Sequence, residues 1–316
     1  MEHAVEEKPV VHMGLPISNG KLAIWLFLVT EIMFFTALIG VYIILRNGQP
    51  TSAEPWPKPH QVHLIEWVGA FNTFVLICSS LTVVLAHSAL GKGNVSQAVA
   101  FITVTLILGG VFLVVKGFEY KSKYDHKILP GFVYDRVDGE AGTDYYKRVL
   151  KDLEESDQIK LMIGLRDKFR QDNNDKMPTY EELSDLYSKK VGIPMTDDRE
   201  KRPSWLWYQM TSKGPERGLS AEEVARRVTE LVEDYPQRHL TEYIPFGNMW
   251  ASCYFAMTGF HAIHVLGGLV VFAIILIMAA RGRFGAQHES LVELTGLYWH
   301  FVDIVWIFLF PLVYLV

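Results

Sequence analysis

Tyr298-Trp299-His300-Phe301-Val302-Asp303-Ile304-Val305-Trp306 lies inside the last apolar stretch of the chain, Leu291 to Val316. A helix that crosses a bilayer needs about 20 mostly apolar residues, and this stretch supplies them. It nevertheless carries Glu293, His300 and Asp303. At helical periodicity Glu293, Gly296, His300, Asp303 and Ile307 fall on one face, and Leu, Val, Phe and Ile make up the other. The expectation is a spanning helix with hydrocarbon on one side and a polar seam on the other. Ionisable groups are expensive in a membrane, so the seam needs partners on other helices or on another subunit.

Four more stretches have the length and composition of spans. Lys21 to Arg46 is apolar apart from Thr30 and Glu31, and Glu31 sits well inside it. Leu64 to His87 carries Glu66, Thr73, Ser80 and His87 at intervals of seven, a second polar seam suited to interhelical hydrogen bonds. Ser96 to Gly117 has Gly109-Gly110 at its middle and runs into Lys116-Gly117-Phe118-Glu119-Tyr120. Met249 to Ala280 places Met257, His261, His264 and Gly268 on one face, and Arg281-Gly282-Arg283 follows at the membrane surface. Trp56, between Pro55 and Pro57, fits an interfacial aromatic belt.

Between Lys121 and Asn248 the composition turns polar, with no spanning run. This segment reads as a small helical insert. A helical rhythm covers Asp144 to Gln171, Thr179-Tyr180-Glu181-Glu182 is a capping box, and Ser220-Ala221-Glu222-Glu223 opens a helix to about Tyr235. The acids and bases along Asp152 to Arg170 read as a solvated face. An insert of this size is expected to complete its core against the membrane part or a partner. The fold class is therefore all-α: a five-span bundle over 21–120 and 249–316, an N-terminal tail over 1–20, and a soluble helical insert over 121–248.

Bulk numbers agree with a membrane part joined to a polar part. Half of the 316 residues are hydrophobic (50%), yet 21% are charged, and the net charge of −5 gives no nucleic-acid signature. Cys78 and Cys253 both lie in apolar runs and read as small buried hydrophobes, with a disulfide left open. Two cysteines are too few for a cysteine-built zinc or iron–sulfur site. The first twenty residues, with Glu2, Glu6, Glu7, Pro9 and Pro16, do not read as a cleavable signal.

Membrane histidines raise the question of a b-type haem, with His87, His261, His264 and His300 as ligands. His87 stands at a helix end, and His261 and His264 share a turn; no helix carries two histidines about two turns apart. An ion transporter would use Glu31, Glu66, Glu293 and Asp303, but the chain has no internal repeat and no span broken by proline. The third reading is that the polar seams serve assembly.

Five motifs, in order, give the chain a resemblance to subunit III of the haem–copper oxidases, the cytochrome c oxidase type. They are Thr30-Glu31-Ile32-Met33-Phe34-Phe35-Thr36; Phe71-Asn72-Thr73-Phe74-Val75-Leu76 with Ala86-His87; Gly117-Phe118-Glu119-Tyr120; Thr258-Gly259-Phe260-His261-Ala262-Ile263-His264-Val265; and Tyr298 to Trp306. The resemblance covers the membrane part and none of the insert. It implies a short five-span bacterial form, starting at the third span of the longer members.

The resemblance also implies a non-catalytic subunit of an aerobic terminal oxidase, with the haem and copper in subunits I and II and no redox centre or metal on this chain. Such a subunit borders subunit I, binds phospholipid and supports proton uptake. Glu31 matches the family's buried reactive carboxyl; His261 and His264, and Glu293, His300 and Asp303, match its polar sets on the last two helices. With Glu66, His87 and Glu119 these are the expected proton- or lipid-related residues. Arg281 and Arg283 are lipid-headgroup candidates, although Met278 stands where the family's arginine would. Family topology implies a bacterial inner membrane, a cytoplasmic N-terminus, and the insert and C-terminus on the outer face. There the insert would dock a cytochrome c domain or another respiratory complex, or act as a stability module. A quinol-oxidase or nitric-oxide-reductase homologue is the alternative within the family.

Overall fold

Long apolar helices and short polar ones divide the chain, as their composition dictates. The computed structural model describes residues 19–48, 56–192, 202–212, 219–234 and 240–315. Most of the expected N-terminal tail, and Tyr235 at the end of the last insert helix, lie outside them. Five helices are long and apolar enough to cross a membrane. They are α1 (Asn19–Asn47), α2 (Glu66–Gly91), α3 (Val95–Asp125), α9 (Gly247–Ala280) and a final run made of a 3₁₀ turn (Ala286–His288), α10 (Glu289–Phe310) and a π turn (Pro311–Leu315). Contrary to the sequence reading that no span is broken by proline, Pro311 lies in the final one: it has no N–H for the ladder, so the α pattern ends at Phe310 and widens.

Neighbouring helices α2 and α3 form a hairpin, and α2, α3, α9 and α10 pack as a ring; α1 lies against α9 and α10. Contact is closest where glycine removes the side chain. A Cβ on Gly109 would meet Leu269 at 2.6 Å and Trp299 at 2.9 Å, and one on Gly268 would meet Trp299 at 2.6 Å. Trp299 thus fills the space that two glycines leave on facing helices.

Correcting the sequence reading, the second face of α10 is not a hydrocarbon face. Trp299, Val302, Trp306 and Leu309 are fully buried against the ring, while lipid exposure is left to Ile304, Ile307 and Phe308. The reason is α10's position between α1, α2 and α9, which leaves it little open surface.

At about 1.5 Å per residue the 31 residues of α3 reach about 46 Å, more than a hydrocarbon core of about 30 Å. The surplus turns carry the insert. It contains α4 (Gly139–Glu154), α5 (Asp157–Asp172), α6 (Tyr180–Val191), α7 (Pro203–Ser212) and α8 (Ala221–Asp234). Thr179 and Glu182 make both hydrogen bonds of the capping box, and Ser220 Oγ accepts from the Glu223 N–H at 3.2 Å.

Three features of the insert differ from expectation. The rhythm over Asp144–Gln171 is two helices, broken at Glu155–Ser156. Helix α7 has no periodic signature in the sequence, yet Leu206, Trp207 and Met210 are buried. The insert also has its own apolar cluster, including Tyr145, Val149, Leu183, Trp207 and Val228, separate from that of the membrane helices.

A collar joins the two parts. Asn248, at the start of α9, accepts from the Gly131 and Val133 amides at 2.9 and 3.2 Å and donates to the Val133 carbonyl at 2.7 Å. The Ile244 amide donates to the Tyr134 carbonyl at 3.0 Å, so the segments that enter and leave the insert lie side by side.

Candidate functional site

The heptad on α2 faces α10. Trp306 donates its indole N–H to Thr73 at 2.9 Å, Ser80 lies 2.5 Å from His300 Nδ1, and His87 approaches Glu289 at 3.8 Å. Between these levels Trp299 donates to Ser79 at 2.9 Å. Glu66 leaves the seam: it sits in the first turn of α2 and is exposed, because the helix begins there rather than two residues earlier. The two seams read separately from the sequence are thus largely one interface.

Ion pairs fix α1. Lys21 reaches Glu293 at 2.7 Å near one end, and Glu31 pairs with His264 at 3.0 Å in the middle, where Tyr298 also donates to the His264 carbonyl at 2.8 Å. His261, one turn from His264, is buried, stacks on Trp306 with ring centroids 5.0 Å apart, and has no hydrogen-bond partner on either ring nitrogen. Asp303 is buried beside Ser80, the hydroxyl that also meets His300. The unpartnered nitrogens of His261 call for ordered water.

At the insert end lies a cluster that the sequence reading left incomplete. Lys116 Nζ donates to Glu119 at 2.9 Å, to the Tyr314 hydroxyl at 2.9 Å and to the Tyr254 hydroxyl at 3.2 Å. Tyr314 is 2.7 Å from the second Glu119 oxygen, and Tyr254 also donates to this carboxylate. The ammonium stands 5.2 Å from the Trp306 ring centre, and the Lys116 and Glu119 side chains are only 3% and 10% exposed. Two turns on, the buried Lys123 donates to the Val62 carbonyl, tying α3 to the loop before α2. Glu119 was legible as a candidate; Lys116, Lys123, Tyr254 and Tyr314 were not. The available signal was the opposite charge three residues apart in Lys116-Gly117-Phe118-Glu119.

Arg281 and Arg283 are exposed in the turn after α9, at the far end from the insert. Cys78 and Cys253 are free thiols, half-buried rather than buried. The four candidate haem histidines are spread over three helices, each engaged with a different neighbour, and His261 is packed between Phe112 and Trp306. These residues do not fit a bis-histidine haem. Among the described residues, most of the ionisable groups inside the spans are used to hold helices to one another.

Fold and seams together define a polytopic helical membrane protein whose buried polar groups serve helix packing. The model of the family described as "Cytochrome c oxidase subunit III" matches residues 6–128 and 241–316, all five spans without the insert core. The chain belongs to the cytochrome c oxidase subunit III family. Among curated proteins it is similar to cytochrome c oxidase subunit 3 of Thermostichus vulcanus, 40% identical over 80 residues, covering 23% of this chain and 40% of that protein. The subunit 3 of Synechocystis sp. is 46% identical over 69 residues, covering 22% of this chain and 30% of the relative. The probable subunit 3 of Mycobacterium bovis is 36% identical over 89 residues, covering 27% and 43%. The chain thus spans less than half the length of these relatives in the aligned stretches.

Proposed function

We propose that this chain is the non-catalytic subunit III of an aerobic cytochrome c oxidase, placed in the bacterial inner membrane against subunit I. The observation that carries the reading is the family match over both membrane parts, with the gap in the match falling on the insert. The seams support it: Glu31, His87, Glu119, His264, Glu293 and His300 all have partners within the chain, as a scaffold requires. Haem and copper belong to subunits I and II on this reading, and this chain sustains proton uptake by stabilising its neighbour and retaining phospholipid, with Arg281 and Arg283 as headgroup contacts. The N-terminus is cytoplasmic, and the insert and C-terminus face outward, where the insert meets a cytochrome c domain or another respiratory complex.

A mild-detergent purification through a C-terminal tag, followed by a visible spectrum, tests this. The expected result is co-purification of haem-bearing oxidase subunits I and II. A chain that arrives alone and colourless under conditions that keep the oxidase assembled overturns the proposal. Replacing residues 135–242 by a short turn, feasible because Tyr134 and Tyr243 are neighbours, tests the insert: docking predicts weaker apparent affinity for the electron donor with assembly intact.

A further inference from the structure

The last two turns of α3 leave the apolar run at Lys116 and carry Phe118 and Tyr124 outward; the chain then turns at Lys127 and returns past Phe132. These three aromatics are 70%, 69% and 69% exposed. They stand where α3 outgrows the hydrocarbon core, the depth at which amphipathic rings belong in a bilayer.

Behind Tyr124 and Phe132 opens a cleft of about 710 Å³, reached by Lys127 from the collar and Arg148 from α4, with Asp125 at its rim. Lys127 and Arg148 share one acceptor, Asp152 Oδ1, at 3.3 and 3.2 Å. The other Asp152 oxygen takes the Thr241 amide at 3.1 Å and the Thr241 hydroxyl. That carboxylate is 4% exposed and its acceptor sites are filled, whereas Lys127 and Arg148 remain 39% and 29% exposed. Both side chains line the cleft. Asp125 is exposed at the outer edge, and Asp144 is exposed one turn before Arg148 on α4.

We propose that this cleft binds one phospholipid with a zwitterionic amine headgroup, such as phosphatidylethanolamine. The charge pattern selects the class. Two cations inside receive the phosphate, Asp125 at the edge receives the ammonium, and Tyr124 and Phe132 cover the first methylenes of the acyl chains. The insert is then seated on the membrane surface through lipid. This site is distinct from Arg281 and Arg283, at the opposite end of the bundle.

The test is lipid retention by the full-length protein, delipidated and exchanged into micelles containing phosphatidylethanolamine, phosphatidylglycerol or phosphatidylcholine, read by native mass spectrometry. Wild type is expected to retain one phosphatidylethanolamine in preference to the other two. Lys127→Gln with Arg148→Gln is expected to weaken that binding about thirtyfold, at about 1 kcal/mol per cation near a membrane surface. Asp125→Asn, at an exposed position, is expected to keep the binding but erase the preference over phosphatidylglycerol. Should the cation variant misfold, Tyr124→Ser with Phe132→Ser, both exposed, decides instead by losing the lipid. Equal retention by the aromatic variant, an unchanged preference in Asp125→Asn, or equally tight binding of glycerophosphoethanolamine without acyl chains overturns the proposal.

Discussion

The two ends of the membrane bundle handle charge in opposite ways. At the end away from the insert, Lys21–Glu293 joins α1 to α10 with side chains 38% and 32% exposed, and His87–Glu289 is more open still. At the insert end, Lys116 and Glu119 sit on one helix, nearly sealed, and two tyrosines from other helices complete their hydrogen bonds. Exposed pairs contribute little because solvent screens them and side-chain entropy opposes them. A sealed pair is different: its charges have lost their hydration, so each group depends on every partner present. The open pairs guide helices together; the sealed cluster fixes the geometry of α3, α9 and the chain's end.

Substitutions can sharpen or break this contrast. The largest effect is expected from Lys116→Met, which strands the Glu119 carboxylate: a loss of about 3–5 kcal/mol in denaturant stability in detergent. Gly109→Val comes next, since even its Cβ would overlap Leu269 and Trp299; overpacking of that kind costs about 1–3 kcal/mol. Lys21→Met at the open end should cost no more than about 1 kcal/mol, and less at high salt. A loss as large as that of Lys116→Met would erase the distinction between the ends.

The smallest effect lies in the insert. Hydrogen bonds from Arg226 and Arg227 hold the Glu223 carboxyl down at about 2, against an ordinary 4.5. Because the folded value is the lower one, this stabilisation is present above about pH 4.5 and disappears as the pH falls through about 2. The stability difference between wild type and Glu223→Gln should therefore shrink steadily over that interval; a difference independent of pH would contradict it.

Much of the architecture was legible from composition because a bilayer leaves the backbone few choices: an apolar run of sufficient length is a helix. The heptad Thr73-Ser80-His87 was equally legible as a packing face, since seven residues return a helix to nearly the same side. What pairs with what was not. Glu31 with His264, and Lys116 with Tyr254 and Tyr314, bring together residues 233, 138 and 198 positions apart, and no local period encodes that. Helix α7 escaped because Trp205, Trp207 and Tyr208 carry no polar rhythm; its helicity comes from burial of one face in the insert core. Asp152 read as a solvated charge, but it is the buried acceptor for Arg148, one turn earlier on α4, and for Lys127 and Thr241, which lie far from it in the sequence.

A double-mutant cycle over Lys116 and Glu119 tests most directly the claim that buried charge here serves packing. Lys116→Met alone, Glu119→Leu alone and the two together would be compared for unfolding in detergent. Each single change is expected to lose about 3–5 kcal/mol, while the double variant recovers most of it, because an apolar pair leaves no stranded charge. Simple additivity, with the double variant as unstable as the two losses combined, would contradict it.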